Sequence, residues 1–233
     1  MGGKQTGGWM DVTETLTTLM WWTPFLAIGF VWNVIISLVS MLIGTAVGVP
    51  LALLRASNKA APRRTALLAT AFARGAPTFV MLYYLALLVP ASIAVAGIEV
   101  PLPGWLKASA ALSVSVAAFV SDNGVAAIRA WRNGEHTAAL LFLSGWTTTF
   151  LIIVMASSTA SVLGVGEIVT RCNTMIAAVG RPDLTIWAYA YTMLWFFLFC
   201  APLTGLVRRV RDGLAARLAA RGNLVEAELI LTE

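Results

Sequence analysis

The sequence predicts an all-α, polytopic membrane fold of about five transmembrane helices, and three observations carry that prediction. Of the 233 residues, 59% are hydrophobic and 12% charged, roughly half the charged share of an ordinary soluble domain. The apolar residues collect into runs long enough to cross a bilayer, which takes about 20 residues at 1.5 Å of helix rise each. The charges, in turn, collect between those runs.

Residues 1–24 are expected to form an external or interfacial N-terminal segment, ending on Trp21, Trp22 and Pro24. The first apolar run, Trp21 to Leu54, exceeds one untilted span. The span proper is therefore placed from about Ile28 to Leu54, with the tryptophan pair leading in along the interface. Within it, Gly44 and Gly48 allow a close helix approach, a packing feature. The second run is Gly75 to Ile98. The third, Leu106 to Ile128, is broken by one acid, Asp122. The fourth lies within Thr137 to Gly166 and the fifth is Leu184 to Val207, so residues 25–207 hold the five-span domain.

Two segments read as interfacial. Thr65 to Ala73 is short and apolar between Arg63-Arg64 and Arg74. Residues 208–233 form a basic amphipathic tail. Its start, Leu206 to Leu218, sets arginines beside leucines at helical spacing, suiting a helix on membrane lipid of the anionic inner leaflet. Gly222 to Glu233 reads as a loose tail or a partner contact.

Orientation follows from the loops. Arg55, Lys59, Arg63 and Arg64 fall between spans one and two, Arg129 and Arg132 between three and four, and Arg208, Arg209, Arg211, Arg217 and Arg221 after span five. The alternate loops carry Glu99 with Lys107, and Glu167, Arg171, Arg181 and Asp183, which are poorer in net positive charge. The positive-inside rule puts the N-terminus outside and the C-terminus in the cytoplasm.

Several function classes drop out. The net charge of +5 comes without a basic face or recognition motif, which argues against nucleic acid. Cys172, read as a loop residue, and Cys200, inside an apolar run, make no disulfide framework. The start Met1-Gly2-Gly3-Lys4-Gln5-Thr6 matches a myristoylation pattern only loosely. A signal peptide is not expected, because the first run is long and Glu14 precedes it with no basic region close by. There is no phosphate-binding loop, so any ATP must be bound by another chain. The one histidine, His136, lies in a loop with no cysteine or second histidine to share a metal, and reads as solvated. No catalytic constellation is present.

Asp122 is the one acid inside a span, about 10 Å of helix rise from Arg129. Intramembrane acids are costly and face a partner or a pathway. Two readings stand: a gate at the cytoplasmic side of a pathway, or a structural pair with Arg129 or Arg74. The hydroxyls Ser113, Ser115, Ser157, Ser158, Thr159 and Ser161 are read either as pathway lining or as helix-packing and backbone-bonding groups.

Several segments resemble one family, the polar amino acid permeases (histidine/glutamine permease-like) that form the membrane subunits of bacterial type I ABC importers. Gly29 to Gly48, closed by Leu51-Ala52-Leu53-Leu54-Arg55, is similar to that family's first helix. Arg74-Gly75-Ala76-Pro77 resembles its Arg-Gly-Thr-Pro turn. Ala117-Ala118-Phe119-Val120-Ser121-Asp122 resembles its third-span Ala-Tyr-x-x-Glu, with Asp122 in the glutamate's place. Ser161 to Ile168, followed by Thr170-Arg171, resembles its external segment after span four. The resemblance runs from about Gly29 to Arg211.

The resemblance implies a multi-pass protein of the bacterial inner membrane, with residues 1–24 periplasmic, forming half of a pathway that works by alternating access. It implies a second permease subunit, ATPase subunits that hold ATP and Mg, and a substrate-binding protein, and no cofactor in this chain. Polar amino acids or related solutes are the implied substrates. The family's cytoplasmic coupling loop survives only as Gly134-Glu135-His136-Thr137-Ala138-Ala139, with Thr137 where its glutamate belongs and about 20 residues missing by alignment with the family. Val125 replaces the family's arginine after the third-span acid. This departure implies a weakly ATPase-coupled member of a heteromeric pair. A non-transporting scaffold and a secondary transporter are the alternatives, the latter poorly served by one acid among five spans.

Overall fold

A computed structural model describes residues 12–95, 98–134 and 141–231. Helix α1 is Val12–Arg55, a single element of 44 residues. It does not stop for the interfacial lead-in expected before Ile28. Glu14 sits in its first turn, where the helix dipole favours an acid, and Pro24 and Pro50 lie inside it. Each proline removes one backbone bond, a loss membrane helices tolerate. Burial decides the outcome: Leu19, Leu26 and Phe30 pack on later elements of the chain and hold the early turns in register.

Helix α2, Ala60–Gly75, follows a short turn. Pro77 restricts Ala76 to extended backbone (φ −77°, ψ 114°), so the chain cannot continue as helix through Arg74-Gly75-Ala76-Pro77. Helix α3, Thr78–Leu88, leaves this elbow at 90° to α2. The second apolar run is therefore not one span from Gly75 to Ile98. Pro90 forces Val89 out of helical backbone, and the chain enters an antiparallel hairpin, β1 (Ser92–Val95) and β2 (Ile98–Pro101), with Ser92 opposite Pro101.

Helix α4, Gly104–Arg132, packs along α1 as the spine of the molecule. A Cβ on Gly44 would meet the Val116 side chain and lie 2.7 Å from the Ser113 carbonyl. On Gly48 it would lie 2.6 Å from Val120 Cβ. The glycines thus let two backbones approach, as their spacing predicts. Contacts advance together along both helices, from Ser109 against Ile36 to Asp122 against Arg55, so α1 and α4 run parallel. The chain between them must return across the layer, and the bent pair α2–α3 with its hairpin makes that return.

Helix α5, Leu141–Ala156, tightens into a 3-10 turn over Ser157–Leu163, ended by Gly164 at φ 71°. Helix α6, Ile168–Val179, is short and ends at Gly180, φ 67°. Helix α7 runs from Leu184 to Leu231. The expected boundary at residue 208 is thus no break in the backbone. The helix continues through the basic stretch, and Gly222 to Leu231, read as a loose tail or a partner contact, is helix. Cys172 lies buried in α6 and not in a loop, and both cysteines are free.

Among the described residues, four helices are long and apolar enough to cross a bilayer: α1, α4, α5 with its 3-10 turn, and α7. The bent pair α2–α3 makes a fifth when counted as one span. The chain is a multi-pass membrane protein. Two side-chain clusters hold the helices together. One joins α1, α3, α4 and α5 around Ile36, Leu112, Val116 and Val154. The other joins α1, α6 and α7 around Leu26, Ile168 and Leu184.

Candidate functional site

Among the described residues, two polar clusters interrupt this apolar packing, one towards each end of the α1–α4 spine. The first gathers the last residue of α1, the last turn of α2 and the middle of α4. Arg55 Nη1 donates to Asp122 Oδ1 at 2.6 Å and to Ser121 Oγ at 3.0 Å. Arg74 Nη2 donates to Asp122 Oδ2. Thr70 spends its proton on the Ala66 carbonyl at 2.8 Å, so Ser121 donates to Thr70 across 2.7 Å. A directed chain results, from Arg55 through Ser121 and Thr70 to the α2 backbone. It ties three segments of the chain at the elbow.

Of the two partners expected for Asp122, Arg74 is present and Arg129 is not. Arg129 is exposed on α4 and forms no ion pair among the described residues. The stronger partner is Arg55, which the sequence did not suggest. The interaction spans 67 positions and exists only because α1 and α4 are parallel and in register. A cavity of about 420 Å³ opens beside the cluster, between Arg55, Thr70, Arg74 and Asp122.

The second cluster surrounds Glu167, which is fully buried. Its carboxylate caps α6, accepting from Val169 N at 2.9 Å, Thr170 N at 2.7 Å and Thr170 Oγ1 at 2.9 Å. Asn33 of α1 completes it. Its Nδ2 donates to Ser157 Oγ at 2.9 Å and to Glu167 Oε2 at 3.3 Å, and its Oδ1 accepts from Ile168 N at 3.1 Å. Every polar atom of this buried set thus has a partner, the condition under which burial is tolerated. Arg171 stacks over Phe25 at 4.6 Å and donates to the Gly166 carbonyl. Asn33 and Arg55 are separated by about 33 Å of helix rise on α1, close to the roughly 30 Å thickness of the hydrocarbon layer.

The hydroxyls singled out in the sequence do not converge. Ser113 donates to the Ala110 carbonyl at 2.7 Å, and Ser115 bonds Thr78 of α3 at 2.8 Å, fixing α3 against α4. Ser157 belongs to the Glu167 cluster. Ser158 and Thr159 spend their protons on the Met155 and Ala156 carbonyls. Ser158 borders a mostly apolar cavity of about 450 Å³ between α5 and α7, and Ser161 is half-buried at the end of the turn. The 3-10 turn, with about three residues per turn, sends consecutive hydroxyls in different directions. Of the coupling-loop residues, Gly134 ends α4 at φ 80°. Glu135, His136, Thr137, Ala138 and Ala139 lie outside the described residues.

At the N-terminal end of α1, Arg181 bridges Glu14 at 2.6 Å and Asp183 at 3.2 Å. The hydrogen bond to Asp183, above all, raises the pKa of its guanidinium. Burial likewise pushes the Cys172 thiol up and keeps it protonated. Among the described residues, no group of three or more His, Cys, Asp or Glu side chains is placed to hold a metal.

No family model matches the chain, and no curated protein matches it. Solved structures do. The chain superposes on one from the crystal structure of an amino acid ABC transporter with histidines, with a TM-score of 0.66 and 19% identity over 83% of this chain and 97% of that one. A second match, to the MetNI methionine ABC transporter in inward-facing conformations, has a TM-score of 0.46 and 17% identity over 86% of this chain and 97% of that one. The parallel α1–α4 spine, the bent second span and the buried α6 cap thus belong to a chain with the fold of an ABC transporter membrane subunit.

Proposed function

We propose that this chain is a permease subunit of an ABC importer for amino acids or related small polar solutes. The observation that carries the reading is the superposition on nearly the whole of a chain from an amino acid ABC transporter. In this reading it forms half of the translocation pathway and pairs with a second permease subunit. Separate ATPase subunits bind and hydrolyse ATP with Mg, and a binding protein delivers substrate outside. The arginine-rich end of the bundle, with Arg55, Arg74, Arg132 and Arg208, faces the cytoplasm, and Glu14 and Asp183 face outwards.

The residues divide the work by position. The Arg55–Asp122–Arg74 cluster fixes the α2–α3 elbow on the α1–α4 spine at the inner end. The Asn33–Glu167 cluster fixes α6 at the outer end. Alternating access then moves the short helix α3 and the 3-10 turn against a spine held at both ends. The shortening of the coupling loop implied by the resemblance to the polar amino acid permeases supports reading the chain as the weakly ATPase-coupled member of a heteromeric pair. Asp122 is neutralised by two arginines, which suits a structural anchor and not a proton carrier, and disfavours a secondary transporter.

The test is purification of the tagged chain in mild detergent followed by uptake in reconstituted vesicles. Recovery of an ATPase and a second permease, with ATP-dependent uptake of an amino acid, is the expected result. Recovery of neither removes the transport reading in favour of a membrane scaffold.

A further inference from the structure

The elbow cluster leaves one positive charge over. Two guanidiniums converge on the single carboxylate of Asp122, and among the described residues no second acid pairs with either of them. Each guanidinium carries five N–H donors. Among the described residues, Arg55 commits only Nη1, to Asp122 and Ser121, and Arg74 only Nη2, to Asp122. The uncommitted nitrogens belong to side chains that line the cavity of about 420 Å³ at the elbow. The cavity mouth is open at Gly75, where an added Cβ would meet nothing within 4 Å. Leu67, 45% exposed, lines the cavity, and further round α2 Leu68 and Phe72 are 65% and 74% exposed.

This combination has a specific chemical complement. A cationic crevice with spare donors, flanked by bare apolar surface where a span meets water, matches an anionic headgroup whose acyl chains lie alongside. We propose that the crevice between α1, α2 and α4 binds the phosphate of one anionic phospholipid, with Arg74 and Arg55 as its ligands. Asp122 holds the two planar forks in place and sets the cluster's net charge at one positive. A phosphodiester with one negative charge neutralises it, whereas a phosphocholine headgroup brings its own cation and gains less. The lipid then pins the α2–α3 elbow to the leaflet through the residue that ends α2. The inference requires only that this end of the bundle face an anionic leaflet, and it holds whether or not the chain transports.

Native mass spectrometry of the full chain, with any subunits that co-purify, tests it after equilibration in equal parts phosphatidylglycerol and phosphatidylcholine. Wild type is expected to retain phosphatidylglycerol as its first lipid adduct over phosphatidylcholine by about fivefold, the effect of one basic side chain near a charged surface. Arg74→Gln should abolish that preference, while Arg74→Lys, which keeps the charge and reports on folding, should retain at least part of it. Arg129→Gln, exposed and outside the cluster, should leave it unchanged. Equal preference in wild type and Arg74→Gln, or equal loss in Arg129→Gln, overturns the site. Inorganic phosphate adducts in wild type that are lost in Arg74→Gln, with no phosphatidylglycerol preference in either, overturn the lipid as its occupant and assign the crevice to free phosphate.

Discussion

Replacing Asp122 by asparagine removes the charge and keeps the shape, and the structure sets the size of the effect. The Arg55–Asp122 pair is 15% and 22% exposed, too wet for the full cost of a buried pair. A charge-assisted hydrogen bond there is worth about 1.5–3 kcal/mol. Arg74 is 67% exposed, so its pair adds only about 0–1 kcal/mol. Asp122→Asn should therefore cost about 2–4 kcal/mol, or roughly 4–16 °C in melting temperature for a chain of this size. Ser115→Ala removes one neutral bond to Thr78 and should cost about 0.5–1.5 kcal/mol, roughly 1–6 °C. Tryptophan emission of the detergent-solubilised protein during heating reads both. A double-mutant cycle should give a larger coupling of Asp122 to Arg55 than to Arg74. In vesicles at matched expression, Asp122→Asn should also lower uptake more than Ser115→Ala. Equal shifts for the two variants, or the larger coupling at Arg74, refute the reasoning.

Glycine substitutions should separate the spine from the elbow. Gly48→Leu drives a side chain into Val120 and the Ala117 carbonyl, the latter 2.9 Å from the added Cβ, and should prevent recovery of monodisperse protein. Gly75→Ala, with open space around it, should be recovered like wild type by size-exclusion chromatography. Asn33→Leu strips partners from Glu167, Ser157 and Ile168 N at once, and should cost about 2–4 kcal/mol in unfolding midpoint, against a few tenths for exposed Asn123→Leu. Cys172 should react with maleimide only after denaturation, because it is buried and its thiol is held protonated; rapid labelling of the native protein contradicts the α6 packing. A cysteine at Ser57 should be labelled from the cytoplasmic side of inverted vesicles and not from intact cells, and the reverse result inverts the topology.

The elbow shows how far a motif reads without coordinates. Pro77 alone announces that α2 cannot run on into α3, because proline disfavours helix at the residue before it. Its consequence, a 90° bend that makes the second span a composite, depends on α2 resting against α1 and α4. Asp122 was visible as an anomaly in an apolar run, and of its two partners Arg74 was expected while Arg55 was not. Local helix spacing suggests Arg129, whereas register between distant helices selects Arg55. Asn33 was legible in principle, as a lone amide amid apolar residues. Nothing local paired it with Glu167, which lies 134 positions away.

The sequence by itself determined the solvent. The apolar runs and the scarcity of charge oblige most of this surface to meet lipid. Those are sums over local composition, which no tertiary arrangement alters. Only the tertiary structure decided which polar residues meet. Burying a charge or an amide in hydrocarbon is affordable only beside a partner, and partners 67 or 134 positions apart are chosen by the parallel α1–α4 register and the placement of α6. The tertiary structure also turned one expected span into an elbow, with the arginines that close α1 and α2 drawn onto a single aspartate.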